Sequence, residues 1–167
     1  MKDKKSLIIY FSRADENYFG GAMRYVNKGN TEVVAEYVKE FTNADMFKVE
    51  PLVPYSKDYK TCIEEAKERV GNAPVKNTLT DISSYEVIYV MTPIYWGTYA
   101  PEVETVLKNI DFKGKIVRVI TTHEGSGLGS VVNDVKKICI GANVLDDALA
   151  VQGSSVYDAK SKVENWI

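Results

Sequence analysis

Five short apolar runs, each followed by a segment with an apolar stripe at helical spacing, dictate most of what this chain can fold into. The runs are SLIIYF (6–11), MFKVE (46–50), EVIYVMT (86–92), KIVRVITT (115–122) and ALAV (148–151). Most are near-continuous in Ile and Val rather than alternating apolar with polar. Such runs belong to strands covered on both faces, as in a parallel sheet. Between them, Val33, Val34, Tyr37, Val38 and Phe41 share one helical face, and so do Tyr59, Cys62, Ile63, Ala66 and Val70. Pro101 suits a first helical position, with Val103, Val106, Leu107 and Ile110 following. Leu128, Val131, Val132, Val135, Ile138 and Cys139 mark a fourth helix. Ser154 or Ser155 can cap a last helix that buries Ala159, Val163, Trp166 and Ile167. Asn72, Pro74 and Asn77 punctuate the link into the third strand.

This alternation predicts one α/β domain over residues 1–167, a doubly wound three-layer sandwich with right-handed crossovers. The two common strand orders for such sheets both place the ligand beyond the carboxyl ends of the strands. The segments after the first, third and fourth runs are therefore expected to converge.

The segment after the first run is unusually long. From Ser12 to Lys28 it is polar and dotted with glycine, and it ends in Gly29-Asn30-Thr31 at the start of a helix. A helix N-terminus offers unpaired N–H groups and partial positive charge, and Ser12, Asn30 and Thr31 add side-chain donors. That set suits a phosphate. The simpler reading is that Asn30 and Thr31 only cap the helix, which leaves the loop's length and Ser12 unexplained. No Gly-Lys-Ser/Thr follows, so this is not a Walker loop.

After the third run comes Thr92-Pro93-Ile94-Tyr95-Trp96-Gly97-Thr98-Tyr99, in which three aromatics crowd one stiff turn. Aromatics at this edge either wall a flat ring or cover the end of the core. After the fourth run comes Thr122-His123-Glu124-Gly125-Ser126-Gly127-Leu128-Gly129-Ser130. Its glycines expose N–H groups in a concave loop suited to carbonyl or phosphate oxygens. It half-matches a dinucleotide fingerprint, but that motif belongs in the first strand-to-helix turn. His123, the only histidine, makes no triad and no metal site by itself. It is either a hydrogen-bond donor to a ligand or a brace for its loop. Glu124 reads as a loop carboxylate rather than a base.

A phosphate pocket, an aromatic wall and a donor loop on one edge fit a flat heteroaromatic ring on a phosphorylated tail, as in FMN. Composition removes competing classes. A net charge of −2 offers no basic surplus for nucleic acid. No stretch approaches the ~18 apolar residues of a membrane span. The apolar part of the MKDKKSLIIYFSR start is too short for a signal peptide. Cys62 and Cys139 form no metal or redox motif and are expected to fill the core in a reduced, cytoplasmic setting.

With YFSR…KGNTE, PIYWGT and THEGSGLG in this order, the chain resembles the flavodoxin family over nearly its whole length. It looks like a short-chain type from a subgroup with an enlarged phosphate loop. The resemblance implies a five-stranded parallel sheet of order 2-1-3-4-5 with helices on both faces, and one noncovalent FMN. It places Ser12, Arg13, Asn30 and Thr31 at the phosphate. Thr92 and Pro93 to Thr98 would flank the ring, with Tyr95 or Trp96 stacking on it and the Gly97 carbonyl free to turn toward its N5. His123, Glu124, Gly125, Ser126 and Gly127 would line the other edge. Tyr18, Phe19 and Tyr25 would cover the ring or anchor the long loop.

The activity so implied is low-potential electron transfer between redox partner proteins, a reductase and an acceptor, by a monomer or weak dimer with no side-chain catalyst. The alternative is an FMN-dependent NAD(P)H:quinone-type reductase on the same scaffold. The long loop and the mild net charge keep it open, because flavodoxins resemble one another in being strongly acidic. A receiver-type signalling domain would need an acidic pair after the first strand, where Ser12-Arg13 stands.

Overall fold

Side chains alternate faces along a strand, and the apolar runs divide accordingly. The computed structural model describes all residues from Met1 to Ile167. Leu7, Ile9 and Phe11 of the first run face one core, and Ile8 and Tyr10 face another. Ile88 and Val90 join the first core, while Val87, Tyr89 and Met91 join the second. A strand with two buried faces has no polar positions to spare, hence the unbroken runs.

The main sheet holds β1 (Ser6–Tyr10), β4 (Asp45–Lys48), β5 (Val87–Pro93), β6 (Ile116–His123), β7 (Asn143–Val144) and β8 (Leu149–Gln152), all paired in parallel. Its order is β4-β1-β5-β6, with β7 and β8 both against β6. The expected 2-1-3-4-5 path is present, but the strand count is six rather than five. Residues 145–148 lie outside both strands, although Leu145 N–H still bonds the Val117 carbonyl, and they split the fifth position into two pieces.

One face carries α1 (Asn30–Thr42) and α5 (Lys160–Trp166), through Val33, Val34, Val38 and Val163. The other carries α2 (Tyr59–Glu68), α3 (Pro101–Leu107) and α4 (Val131–Ile138), through Cys62, Ala66, Val103, Leu107, Val131 and Val135. Both cysteines are free and buried, filling the core as expected. Burial pushes the Cys139 thiol up to about 12.

Three sequence expectations fail here. The last helix is not capped by Ser154 or Ser155. Both are exposed within a 3₁₀ helix, Gly153–Asp158, that precedes α5. Val70 is off the buried stripe, 64% exposed beyond the end of α2. The long first segment is not an irregular loop. It contains an antiparallel hairpin, β2 (Asp15–Phe19) and β3 (Ala22–Val26), in register from Asp15 opposite Val26 to Phe19 opposite Ala22. Gly20 and Gly21 turn it at φ of 61° and 95°, the two positive values that a tight two-residue hairpin needs.

Candidate functional site

The ends of β1, β5 and β6 converge, as the topology requires. Together with the hairpin and α2 they enclose a cavity of about 290 Å³.

At one end is the start of α1. Gly29 precedes the helix and has no side chain to cap it. Ser12 does so from across the loop, its Oγ accepting from the Glu32 N–H at 3.1 Å. Val33 N–H bonds the Gly29 carbonyl, and the N–H groups of Asn30 and Thr31 have no partner within the chain. These are the unpaired donors that make a helix N-terminus an anion site. Only glycine fits at 29: a Cβ there would lie 2.2 Å from Ser12 Oγ and 2.6 Å from the Arg13 carbonyl oxygen. The Thr31 hydroxyl is 2.7 Å from that of Thr122, one buried pair between α1 and β6. Asn30, Ser12 and Thr122 all line the cavity.

Arg13 also lines it, but its guanidinium is committed to structure. One terminal nitrogen meets the Glu16 carbonyl and Asn17 Oδ1, and the other meets the carbonyls of Ser56 and Lys57. It clasps the hairpin base to the segment before α2. The charge still sits beside the cavity, while its hydrogen-bonding capacity is largely spent.

One wall is aromatic, through Tyr95 and Trp96, and Tyr95 is backed by a buried cluster. Phe11, Tyr55 and Tyr95 meet edge to face at centroid distances of 5.6–6.0 Å. Burial pushes the Tyr95 hydroxyl well above the ordinary tyrosine range. Behind Tyr55 sits a fully buried carboxylate, Glu102. It accepts from Tyr55 Oη at 3.0 Å and from Arg69 at 3.1 Å, and Arg69 stacks 3.9 Å over the Tyr55 ring. Trp96 is 51% exposed at the cavity rim and donates from Nε1 to the Ile63 carbonyl of α2 at 2.9 Å.

Trp96 and Gly97 form the turn between Tyr95 and Thr98, with φ of 52° and 83°. The Gly97 carbonyl, which the resemblance implies can turn toward a ring, is engaged by Ser130. Ser130 N–H donates to it at 2.8 Å, and the Ser130 hydroxyl lies 3.2 Å from it and 2.7 Å from Asp134 Oδ2. Thr98 Oγ1 also donates to Asp134, at 2.6 Å. Burial alone would raise Asp134, but these hydrogen bonds and Lys137 outweigh it and hold the carboxyl below its usual range. Gly129 permits the contact, since a Cβ there would stand 2.3 Å from the Gly97 oxygen.

In the third loop, His123 braces its own turn by accepting the Gly125 N–H at Nδ1, 2.9 Å away. Burial lowers its pKa, opposed by Glu124 and assisted by Lys162, so the neutral imidazole that this bond needs is favoured. Glu124 Oε2 accepts the Gly20 N–H of the hairpin tip at 3.2 Å, and Oε1 is buried without a donor.

Ser12, Arg13, Asn30, Thr31, Pro93, Ile94, Tyr95, Trp96, His123, Glu124 and Ser126 thus line one cavity. Thr92, Gly97, Thr98, Gly125 and Gly127 stand off it and shape the loops instead. Thr92 Oγ1, for example, holds the Ala100 N–H, and the Gly127 carbonyl accepts from Thr121. Tyr18, expected to cover the ring or anchor the loop, lines the cavity, while sequence reasoning missed Thr122, the hairpin residue Asn17, and the α2 wall of Tyr59, Cys62, Ile63 and Ala66. The Gly-Gly pair was an available hairpin signal. The α2 wall left none, since a cavity-facing apolar residue looks like a core residue in sequence.

The sequence model of a family described as Flavodoxin matches residues 22–167. The chain belongs to the flavodoxin family. The matched stretch begins inside the hairpin and leaves out β1, Ser12, Arg13 and β2. Among solved structures, a protein described as a flavoprotein from Bacteroides uniformis is similar at TM-score 0.73 and 20% identity, over 98% of this chain and 97% of that one. A flavoprotein in complex with FMN from Lactobacillus acidophilus is similar at 0.61 and 21%, over 95% and 99%. A Fusobacterium nucleatum flavodoxin bound to flavin mononucleotide is similar at 0.56 and 14%, over 98% and 94%. A comparison with curated proteins finds no match. No helix is long and apolar enough to cross a membrane.

Proposed function

We propose that this flavodoxin-family chain binds one FMN in the cavity and serves as a low-potential electron carrier between a reductase and an acceptor protein in the cytoplasm. The observation that carries the reading is the pairing of partnerless Asn30 and Thr31 N–H groups at one end of the cavity with aromatic surface at the other. The two ends fit the two ends of FMN. Ser12, Asn30, Thr31 and the start of α1 would hold the phosphate, with Arg13 contributing charge. Tyr95 and Trp96 would flank the ring, and His123 to Ser126 would line its far edge. Bound FMN supplies the redox chemistry, and the chain sets its access and potential. The aromatic walls exclude water. The carboxylates of Glu124 at the rim and Glu102 behind Tyr55 disfavour negative charge in the cavity, which lowers a reduction potential. The similar structures with FMN support the cofactor.

One observation favours a second reading as an FMN-dependent NAD(P)H:quinone-type reductase. The hairpin and α2 close in the ring end of the cavity with Asn17, Tyr18, Tyr59 and Ile63, walls that would also bound a substrate beside the ring.

The test is stepwise reduction of the FMN-loaded protein followed by visible absorption. Two separated one-electron steps, with no NAD(P)H oxidation by the protein alone, are the expected result. Direct reduction by NAD(P)H with turnover on quinones would replace the carrier by the reductase. Failure to bind FMN would overturn both.

A further inference from the structure

We infer that Gly153, at the exit of β8, is a positioning residue for the candidate site: the space left by its missing side chain sets the side chains of Asn30 and Glu124, which come from two different loops. The inference rests on the FMN reading above.

β8 runs beside β6 with Gln152 opposite His123, so Gly153 leaves the sheet next to Glu124. It opens the 3₁₀ helix Gly153–Asp158 and is buried. Nothing in its backbone calls for glycine, because its φ is not among the positive values of this chain. The reason lies in what it faces. A Cβ on Gly153 would overlap both Asn30 Nδ2 and Glu124 Oε1, and would stand 3.3 Å from Asn30 Cγ. The amide and the carboxylate therefore crowd the one spot that a methyl group would occupy.

Both side chains line the cavity. Asn30 opens α1, and Glu124 follows β6. Hydrogen bonds do little to fix either of them. Asn30 Oδ1 and Glu124 Oε1 are buried with no donor in the chain, and Glu124 is held only through Oε2, which accepts the Gly20 N–H. Packing against Gly153 is what remains to set their direction. A side chain whose rotamer is locked before a ligand arrives loses less freedom on binding it. Gly153 thus brings the end of the fifth sheet position into a site otherwise built from the segments after β1, β5 and β6. It touches no ligand itself and acts through Asn30 and Glu124.

The two overlapped atoms are the far ends of flexible side chains. A methyl group at 153 therefore displaces those side chains and leaves the backbone in place. Where φ suits it, alanine also stabilises a chain relative to glycine by restricting the unfolded state. The fold and the site respond in opposite directions, which separates a positioning role from a structural one.

The experiment titrates the flavin-free full chain with FMN by fluorescence, in the wild type, in Gly153→Ala, and with and without Gly153→Ala in an Asn30→Ala/Glu124→Ala background. Gly153→Ala is expected to melt at or above the wild-type temperature and to bind FMN at least about tenfold more weakly. In the background, where the methyl group has room, the same substitution should change FMN affinity less than about twofold. Should that background bind too weakly to titrate, the Asn30 side-chain amide signals in proton–nitrogen NMR spectra of the flavin-free protein decide. Gly153→Ala should shift them, and unchanged signals overturn the inference. An FMN affinity of Gly153→Ala within about twofold of wild type, an equal loss in the background, or loss of the fold in Gly153→Ala overturns the positioning role and leaves the FMN reading intact. Wild-type protein that does not bind FMN overturns both.

Discussion

Glu102→Ala tests whether the packing behind Tyr95 is held by a buried charge. Glu102 has no solvent exposure, and its carboxylate accepts from Tyr55 and Arg69. Removing one member of a buried ion pair costs about 3–5 kcal/mol, mostly because the other charge is stranded. Arg69 would not be wholly stranded. It is 16% exposed, keeps the Val53 carbonyl at 2.9 Å, and has Glu65 at 3.7 Å. Tyr55, at 8% exposure, would lose the acceptor for its hydroxyl. The expected loss is therefore at the low end, about 3 kcal/mol. For a domain of this size that lowers Tm by about 6–12 °C. Urea unfolding followed by circular dichroism gives the free energy directly, with an unchanged m-value as the control. Arg69→Met and the double variant complete a cycle, and their losses should be strongly non-additive. Because Tyr55 meets Tyr95 edge to face at 6.0 Å, FMN affinity should fall in parallel. A loss below about 1 kcal/mol, or additive losses in the cycle, would refute the reasoning.

Gly29→Ala should lower FMN affinity by more than about tenfold, because its Cβ collides with Ser12 Oγ and the Arg13 carbonyl and forces the anion loop apart; calorimetric titration measures it. Ser12→Ala removes the cap on Glu32 N–H and should cost about 1 kcal/mol in urea unfolding. FMN should quench tryptophan emission through Trp96 at the cavity rim, and Trp96→Phe should abolish most of the quenching while Trp166 emission persists. His123 has a folded pKa lowered from 6.5. The unfolded chain therefore binds the proton more readily, so this contribution to stability is present above pH 6.5 and is lost as pH falls through the lowered value. His123→Asn should flatten that part of the stability profile.

The sheet was legible because its strands are buried on both faces, so Ile8 and Ile9 are both apolar although they face different cores. The split of the fifth strand was not legible. Residues 145–148, LDDA, include two acids that neither core admits, and one of them, Asp147, is drawn out to Arg118 at 2.7 Å. Arg118 itself lies buried at 2% exposure within an apolar run, where sequence gives no hint that the carbonyls of Trp166 and Ile167 receive it. The hairpin was obscured by composition. Asp15, Glu16 and Asn17 are poor strand formers, and the ladder forms because Gly20-Gly21 turns it and Phe19 anchors it.

The candidate site was legible as three loops and not as a shape. Topology alone brings the ends of β1, β5 and β6 together, so residues chosen only for their place after those strands meet around one cavity. Which residues of each loop face it depends on backbone turns that sequence does not display. Gly97 illustrates the point. The family resemblance implies that its carbonyl can turn toward a ring, a turn glycine makes easy, yet here the carbonyl points at the start of α4, where Ser130 N–H takes it. Turning it toward the cavity would break that bond, at a net cost of about 0.5–1.5 kcal/mol, and leave the Ser130 N–H in need of another acceptor. The same contact gives the loop its shape, since Gly129 and Ser130 press against it from α4 while Trp96 is tied to α2. A loop held at both ends presents Tyr95 and Trp96 to the cavity in a fixed pose, which on the proposed reading leaves contact with a flat ring to those two side chains.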